Sequence, residues 1–326
     1  MNYLMLVAMC SSLAADPTDV AQADMEKMQG QWDAVLIERD AKPVPKSDVS
    51  NYSLEVKGNK RVLKVAGTVV TESTITIDAS KTPKQIDIAI TKGAQQGKTL
   101  RGIYSIEGDT LKLCIAVTSD ERPTEFATKA NTGHNFQVYS RAKAVTEPTL
   151  REELVQRMAK DQEVRIKLNG MHQRKEDGED IEDEQKEVME KAMAVDKENT
   201  AWMKTVIEKH RWPGFSKVGK DGALAAFLLV QHADQDKEFQ KKCLELMRDA
   251  VKANEANGRD LAYLTDRVLI GDGKKQLYGT QLRMVDGKLE ASPIEDEDKV
   301  DERRKEVGLM PLAEYLKIVQ SRGGKG

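Results

Sequence analysis

Between Gln31 and about Arg141 apolar residues recur at every second position, the repeat of strands that bury one face. Ile86, Ile88 and Ile90 share a face in QIDIAI, as do Leu111, Leu113 and Ile115 in TLKLCI. SLEVKGNKRVLKV folds back at Gly58-Asn59, and LRGIYSI and TLKLCIAV flank Glu107-Gly108-Asp109; both are tight-turn sequences. TITID and QIDIAI are separated by the turn-rich ASKTPK, and NFQVYSR supplies a last strand. About seven or eight short strands with frequent turns predict an antiparallel meander, closed or nearly closed into a barrel. Such a barrel either fills its interior or holds one small ligand, and an Ile/Val/Leu lining suits both.

After AVTEPTL the period becomes helical. Thr149 is the expected N-cap of LREELVQRMAKDQEVRIKL, with Leu154, Met158 and Val164 on its apolar stripe. HQRKEDGEDIEDEQKEV reads as an exposed connection leading into the next helix. VDKENTAWMKTVIEKHRW forms a helix with Trp202, Val206 and Ile207, stopped before Pro213. DGALAAFLLVQHA is apolar almost all round and predicts the central helix. DKEFQKKCLELMRDAVKANEANG is amphipathic and ends at Asn257-Gly258, and Asp260 is the expected N-cap of DLAYLTDRVLI. LRMVDGKLEASPI predicts a hairpin around Asp286-Gly287, before a last helix pair in DKVDERRKEVG and PLAEYLKIVQSR. The fold class is α+β multidomain, a barrel followed by a mainly α-helical bundle with a small β-hairpin.

The start of the chain differs from both halves. MNYLMLVAMCSSLAA carries an apolar run too short to span a bilayer, then the small-x-small pattern Ser12-Leu13-Ala14. Residues 1–15 are therefore expected to be a signal peptide that exports the protein to the periplasm or outside the cell. Residues 16–28 follow as a linker and short N-terminal helix, 29–144 as the barrel and 149–320 as the helical domain. No membrane span is expected in the mature chain. Cys114 and Cys243 lie in different halves without close spacing, so buried thiols are expected rather than a disulfide framework. With 51 basic against 54 acidic residues and 5 % aromatics, nothing favours nucleic acid as a partner.

Several segments in order, MEKMQGQWDAVLIERDAKPVP, IDASKTPKQIDI, GIYSIEGDTLKLC and ERPTEF, together resemble an uncharacterised lipocalin-like domain family common in planctomycete proteins. The resemblance covers roughly residues 24–142 and implies a lipocalin-like barrel but no established activity. Gly30 and Trp32 match the G-x-W start of such barrels, and Arg141 is placed to pack across the tryptophan. The strings RWPGFSKVG, LVQHAD, YLTDR, QLYGTQ and IEDEDKVDERRKEVGLMPLAEYL resemble a second, bacterial domain family, of unknown function, over roughly 150–320.

Candidate chemistry gathers in that second half. Polar residues at the end of the most apolar helix must find partners or remain desolvated. His232 and Asp234 are two apart and do not face each other on a helix, so Asp266 is the better expected partner of His232. A catalytic reading makes His232 a general base oriented by Asp266 or Asp234, with Arg267 and either Tyr278 or Gln281 stabilising negative charge. Trp212, Gln231, Asp234, Tyr263 and Gln281 would line the same cleft as binding residues. The structural reading makes the same residues a bonded network that docks helices, with Asp266 paired to Arg303 or Arg304. No serine elbow, H-E-x-x-H, P-loop or dinucleotide fingerprint occurs. His134, His172, His210 and His232 lack ligand spacing, so neither a metal nor a cofactor is expected. The leading expectation is a non-catalytic protein binding a small ligand, an envelope component or a protein partner; the alternative is a hydrolase or transferase centred on His232 and Asp266.

Overall fold

The structure, a computed structural model, describes residues 17–49, 51–65, 67–176, 180–285 and 288–323. The expected leader and the Asp286-Gly287 turn lie outside the described residues. Chain contacts divide the protein into two compact units, one of residues 1–44 and 48–142, the other of 45–47 and 143–326.

The first unit begins with helix α1 (Pro17–Met28) and strand β1 (Gly30–Arg39), followed by the short β2 (Lys42–Pro43) and helix α2 (Lys46–Val49). Strands β3 (Tyr52–Lys57), β4 (Lys60–Val65), β5 (Thr68–Asp78), β6 (Gln85–Lys92), β7 (Thr99–Glu107), β8 (Thr110–Ala116) and β9 (His134–Arg141) complete it. Sequential neighbours pair antiparallel, and β9 pairs with both β8 and β1. The result is a closed eight-strand barrel with β2 appended to β1.

Register and side-chain alternation put Trp32, Ala34, Leu54, Ile75, Ile88, Tyr104, Leu113 and Tyr139 on the inner face, where all are buried. α1 packs against one end of the barrel. Trp32 Nε1 donates to Met28 O (2.8 Å), and Asp24 accepts from the Tyr104 hydroxyl (2.9 Å) and Lys84 (2.6 Å). Arg141 lies over Trp32, 4.2 Å from the ring centre, and donates to the α1 carbonyls of Lys27 (2.7 Å) and to Gln29 O (2.8 Å). One side chain thus binds the first strand, the last strand and the helix end, where carbonyls otherwise lack donors.

In the second unit, α3 (Pro148–Glu176) and α4 (Glu182–His210) are each 29 residues long and pack together with α5 (Phe215–Gln231). α6 (Lys237–Lys252) and α7 (Gly258–Gly271) follow, then the hairpin β10 (Leu282–Val285) and β11 (Lys288–Ala291), and last α8 (Val300–Glu306) and α9 (Leu312–Gly323). α5 is buried on most sides, with Val218, Ala225, Ala226, Phe227, Leu229 and Val230 all in the core. It breaks at Gly219, whose φ of +71° only glycine adopts cheaply.

Three expectations change. The connection expected from His172 is shorter than the charge run, because α3 runs on to Glu176, while the next helix starts within the run, at Glu182, as expected. Met171, Ile181 and Val188 form a small apolar cluster between these helices, and Arg174 pairs with Glu184 (2.8 Å). Asn257 does not end α6 but caps α7, its side chain accepting from Arg259 N (3.0 Å). Asp260 is not the N-cap but lies buried in the first turn of α7.

Candidate functional site

The predicted cleft residues fall into three groups, the first two joined through Gln281. The first surrounds Asp266, which is 0 % exposed. One carboxylate oxygen accepts from the amides of Leu277 (2.8 Å) and Tyr278 (3.1 Å), the other from Thr280 N and Thr280 Oγ1 (both 2.9 Å). The same loop is held through its carbonyls by two arginines. Arg303 Nε donates to Leu277 O (2.8 Å) and Arg304 to Tyr278 O (2.5 Å). Asp266 and the arginines thus grip opposite polar groups of QLYGTQ, and the expected direct pairing between them is replaced by the loop backbone. Gly279 makes the approach possible: its φ is +68°, and a Cβ there would lie 2.8 Å from Leu312. Gln276 closes the loop, donating to Gln281 O (2.9 Å) and Ser292 O (2.7 Å) and accepting from Gln281 N (2.9 Å). Tyr263 hydrogen-bonds Tyr315, over whose ring Arg304 stacks at 5.0 Å.

The second group is a chain of Asp234, Arg267 and Gln281. Arg267 grips both Asp234 oxygens through Nε and Nη2, and its Nη1 donates to Gln281 Oε1 (3.3 Å). Burial raises the Asp234 pKa, but the Arg267 hydrogen bonds and charge outweigh it and hold the carboxyl below its ordinary value.

His232 belongs to the third group. The expected partner Asp266 is turned to its loop, and His232 Nδ1 meets Asp161 Oδ1 of α3 at 3.0 Å. Asp161 is 2 % exposed and also accepts from Arg165 Nε (3.1 Å) and Gln162 (2.8 Å), while Arg165 reaches on to Asp196 of α4 (2.6 Å). Burial works to raise the Asp161 pKa, yet the His232 hydrogen bond and charge, with Arg165, leave it lowered. Asp196 moves the other way: its burial outweighs Arg165 and raises it. His232 Nε2 makes no hydrogen bond among the described residues. Gln231 and Trp212 are buried beside this core, with Gln231 Oε1 and Trp212 Nε1 unpartnered among the described residues.

One ligand atom each from Asp161, Asp196 and His232 lies within 4.8 Å of the others, a spacing a metal ion could bridge. Arg165 already supplies a cation across both carboxylates, and Asp161 Oδ1 accepts two donors. The geometry is that of a bonded ion network rather than an open ligand set. Asp161, Arg165 and Asp196 were missed in the sequence, although Met158, Asp161 and Arg165 fall on one helical face. A charged pair continuing an apolar stripe was the available signal.

The two cysteines are free and buried, and burial pushes the thiol of Cys114 up to about 11 and that of Cys243 up to about 12. Neither is a nucleophile at neutral pH. No described helix is long and apolar enough to cross a membrane.

These features define a two-unit α+β protein in which a closed antiparallel barrel accompanies a helical module cross-tied by buried polar residues. Residues 148–325 match a family of unknown function, DUF6624, and the chain belongs to that family. No curated protein and no solved structure matches it significantly.

Proposed function

We propose that this is an exported, non-catalytic binding protein whose barrel, similar to uncharacterised lipocalin-like domains, takes a small ligand, beside a helical module that is structural. One observation carries the reading: polar atoms on the inner face of the barrel, Arg61 Nε and Asn135 Oδ1, are buried without partners among the described residues. The charged residues expected to form a cleft in the helical unit each bond a different partner: Asp266 the loop amides, Arg267 Asp234, and His232 Asp161. Buried polar groups are nearly always satisfied in a complete assembly, so orphans inside a barrel point to an occupant. Titrating the full-length protein with small apolar compounds, charged and neutral, should raise its unfolding midpoint and perturb Trp32 fluorescence. A flat response across such a panel rejects ligand binding by the barrel.

A second reading has one observation in its favour. Asp161 holds His232 by Nδ1 and leaves Nε2 unbonded, the orientation a general base requires. His232→Gln should then abolish turnover of activated esters while the melting point stays within a few degrees. No turnover by the wild type, or equal turnover by the variant, removes the enzyme.

A further inference from the structure

We propose that the barrel interior is a carboxylate-binding site built around Arg61, an inference that rests on the barrel being the ligand-binding unit. Arg61 is opposite Val56 on β4, on the inward phase shared with Leu54 and Leu63. It is 4 % exposed. Its guanidinium hydrogen-bonds the Tyr139 hydroxyl, and Tyr139 donates its own proton to Gln137 Oε1 at 2.7 Å. Arg61 Nε has no partner among the described residues.

Among the described residues no carboxylate pairs with Arg61. Strand acids such as Glu55, Glu72, Asp87 and Glu107 alternate with inward apolar residues and therefore face outward. Burial lowers the Arg61 pKa, and the Tyr139 hydroxyl works against it. A guanidinium cannot shed its proton to escape burial. Water could satisfy Nε but would leave a full positive charge uncompensated in an apolar lining. A carboxylate supplies both the acceptor atoms and the charge, and its two oxygens match the planar guanidinium fork. Asn135 stands on the same inward phase of β9 as Gln137 and Tyr139, with its Oδ1 unpartnered.

The surrounding side chains select what carries the carboxylate. Leu54, Ile75, Ile88 and Leu113 fill the interior, and the inward-phase Tyr52 and Leu63 are only partly buried, a mostly apolar lining that offers little to the hydration shell of an inorganic anion. The ligand is therefore a monocarboxylate on an apolar body. Arg39, exposed at the far end of β1 from Trp32, donates to the Tyr52 hydroxyl at 3.1 Å and adds a second positive charge on the inward phase.

Octanoate, octan-1-ol and inorganic phosphate test this by calorimetric titration of the full-length protein. Octanoate is expected to bind about ten-fold or more tightly than octanol, the worth of a charge-assisted hydrogen bond, without competition from phosphate. Arg61→Met should lose that preference while leaving octanol binding unchanged, Arg61→Lys should keep part of it, and Tyr139→Phe should weaken octanoate alone. If Arg61→Met does not fold, the wild-type comparison and Tyr139→Phe decide. Equal binding of octanol and octanoate, unaffected by Tyr139→Phe, overturns the carboxylate site and leaves the binding reading standing. Displacement of octanoate by phosphate overturns the apolar-body class. Absence of binding by octanoate and octanol alike overturns this site, and the binding reading falls only if the wider panel of neutral and charged compounds is also silent.

Discussion

Asp260 carries the clearest pH dependence of a single residue. Burial raises its pKa to about 6, against an attraction from Arg259 at 3.6 Å. The unfolded chain titrates near ~3.9, so between these values the folded state holds the proton more tightly. Its favourable contribution is present below about pH 4 and lost as pH rises through about 6. Asp260→Asn should therefore raise stability by about 2 kcal/mol at pH 7 and by almost nothing below about pH 4, measured by urea unfolding at both values. Asp161 has the opposite sign. Its lowered pKa contributes stability above about pH 4 that is lost as pH falls through the folded value. Asp161→Asn removes the negative charge facing His232 and Arg165, leaves at best a neutral acceptor, and should cost about 3 kcal/mol at neutral pH, the loss shrinking in acid. Cys243 could be placed from its stripe alone, and its buried, unpaired state follows that placement. The partner of His232 could not, because Asp161 lies 71 residues earlier on a helix whose face mixes charge with methionine.

Among elements, the loop from Gln276 to Gln281 is the one most dependent on a single side chain. Asp266 accepts from the backbone amides of Leu277, Tyr278 and Thr280. Asp266→Ala should cost about 3 kcal/mol, and hydrogen exchange at those amides should quicken far more than in α6. Equal protection in the variant would show that Arg303 and Arg304 hold the loop unaided. The strand pattern was legible because inward and outward residues alternate, and the turns at Gly58 and Gly108 announced both hairpins. Helix ends were less legible. The charge run after Met171 resembles a loop in composition, yet Arg174–Glu184 ties the end of α3 to the start of α4 there. Asn257 reads equally as a stop or a cap, and only the bond to Arg259 N distinguishes them.

At the scale of the whole molecule, each unit owns a core: Trp32, Ile88 and Tyr139 in one, Met203, Leu229 and Cys243 in the other. Cleavage of the chain after Ala142 is expected to give two fragments that each unfold in a single cooperative transition, followed by far-ultraviolet circular dichroism. A fragment without a transition would place part of its core in the other unit. Division into a β half and an α half was legible from the change of period after Thr146. The interior chemistry of the barrel was not, because Arg61 in KRVLKV resembles a solvated hairpin lysine until its register with Val56 is known.

The pairing of β9 with both β8 and β1 also governs the order of events during synthesis. Trp32 finds its partner Arg141 only after 109 further residues have left the ribosome. Until then β1 and β8 each present an open edge, the state in which strands recruit other chains. Because the closing contacts are so distant along the chain, the barrel should form late and slowly. A nascent chain stalled before His134 is therefore the species most in need of a chaperone.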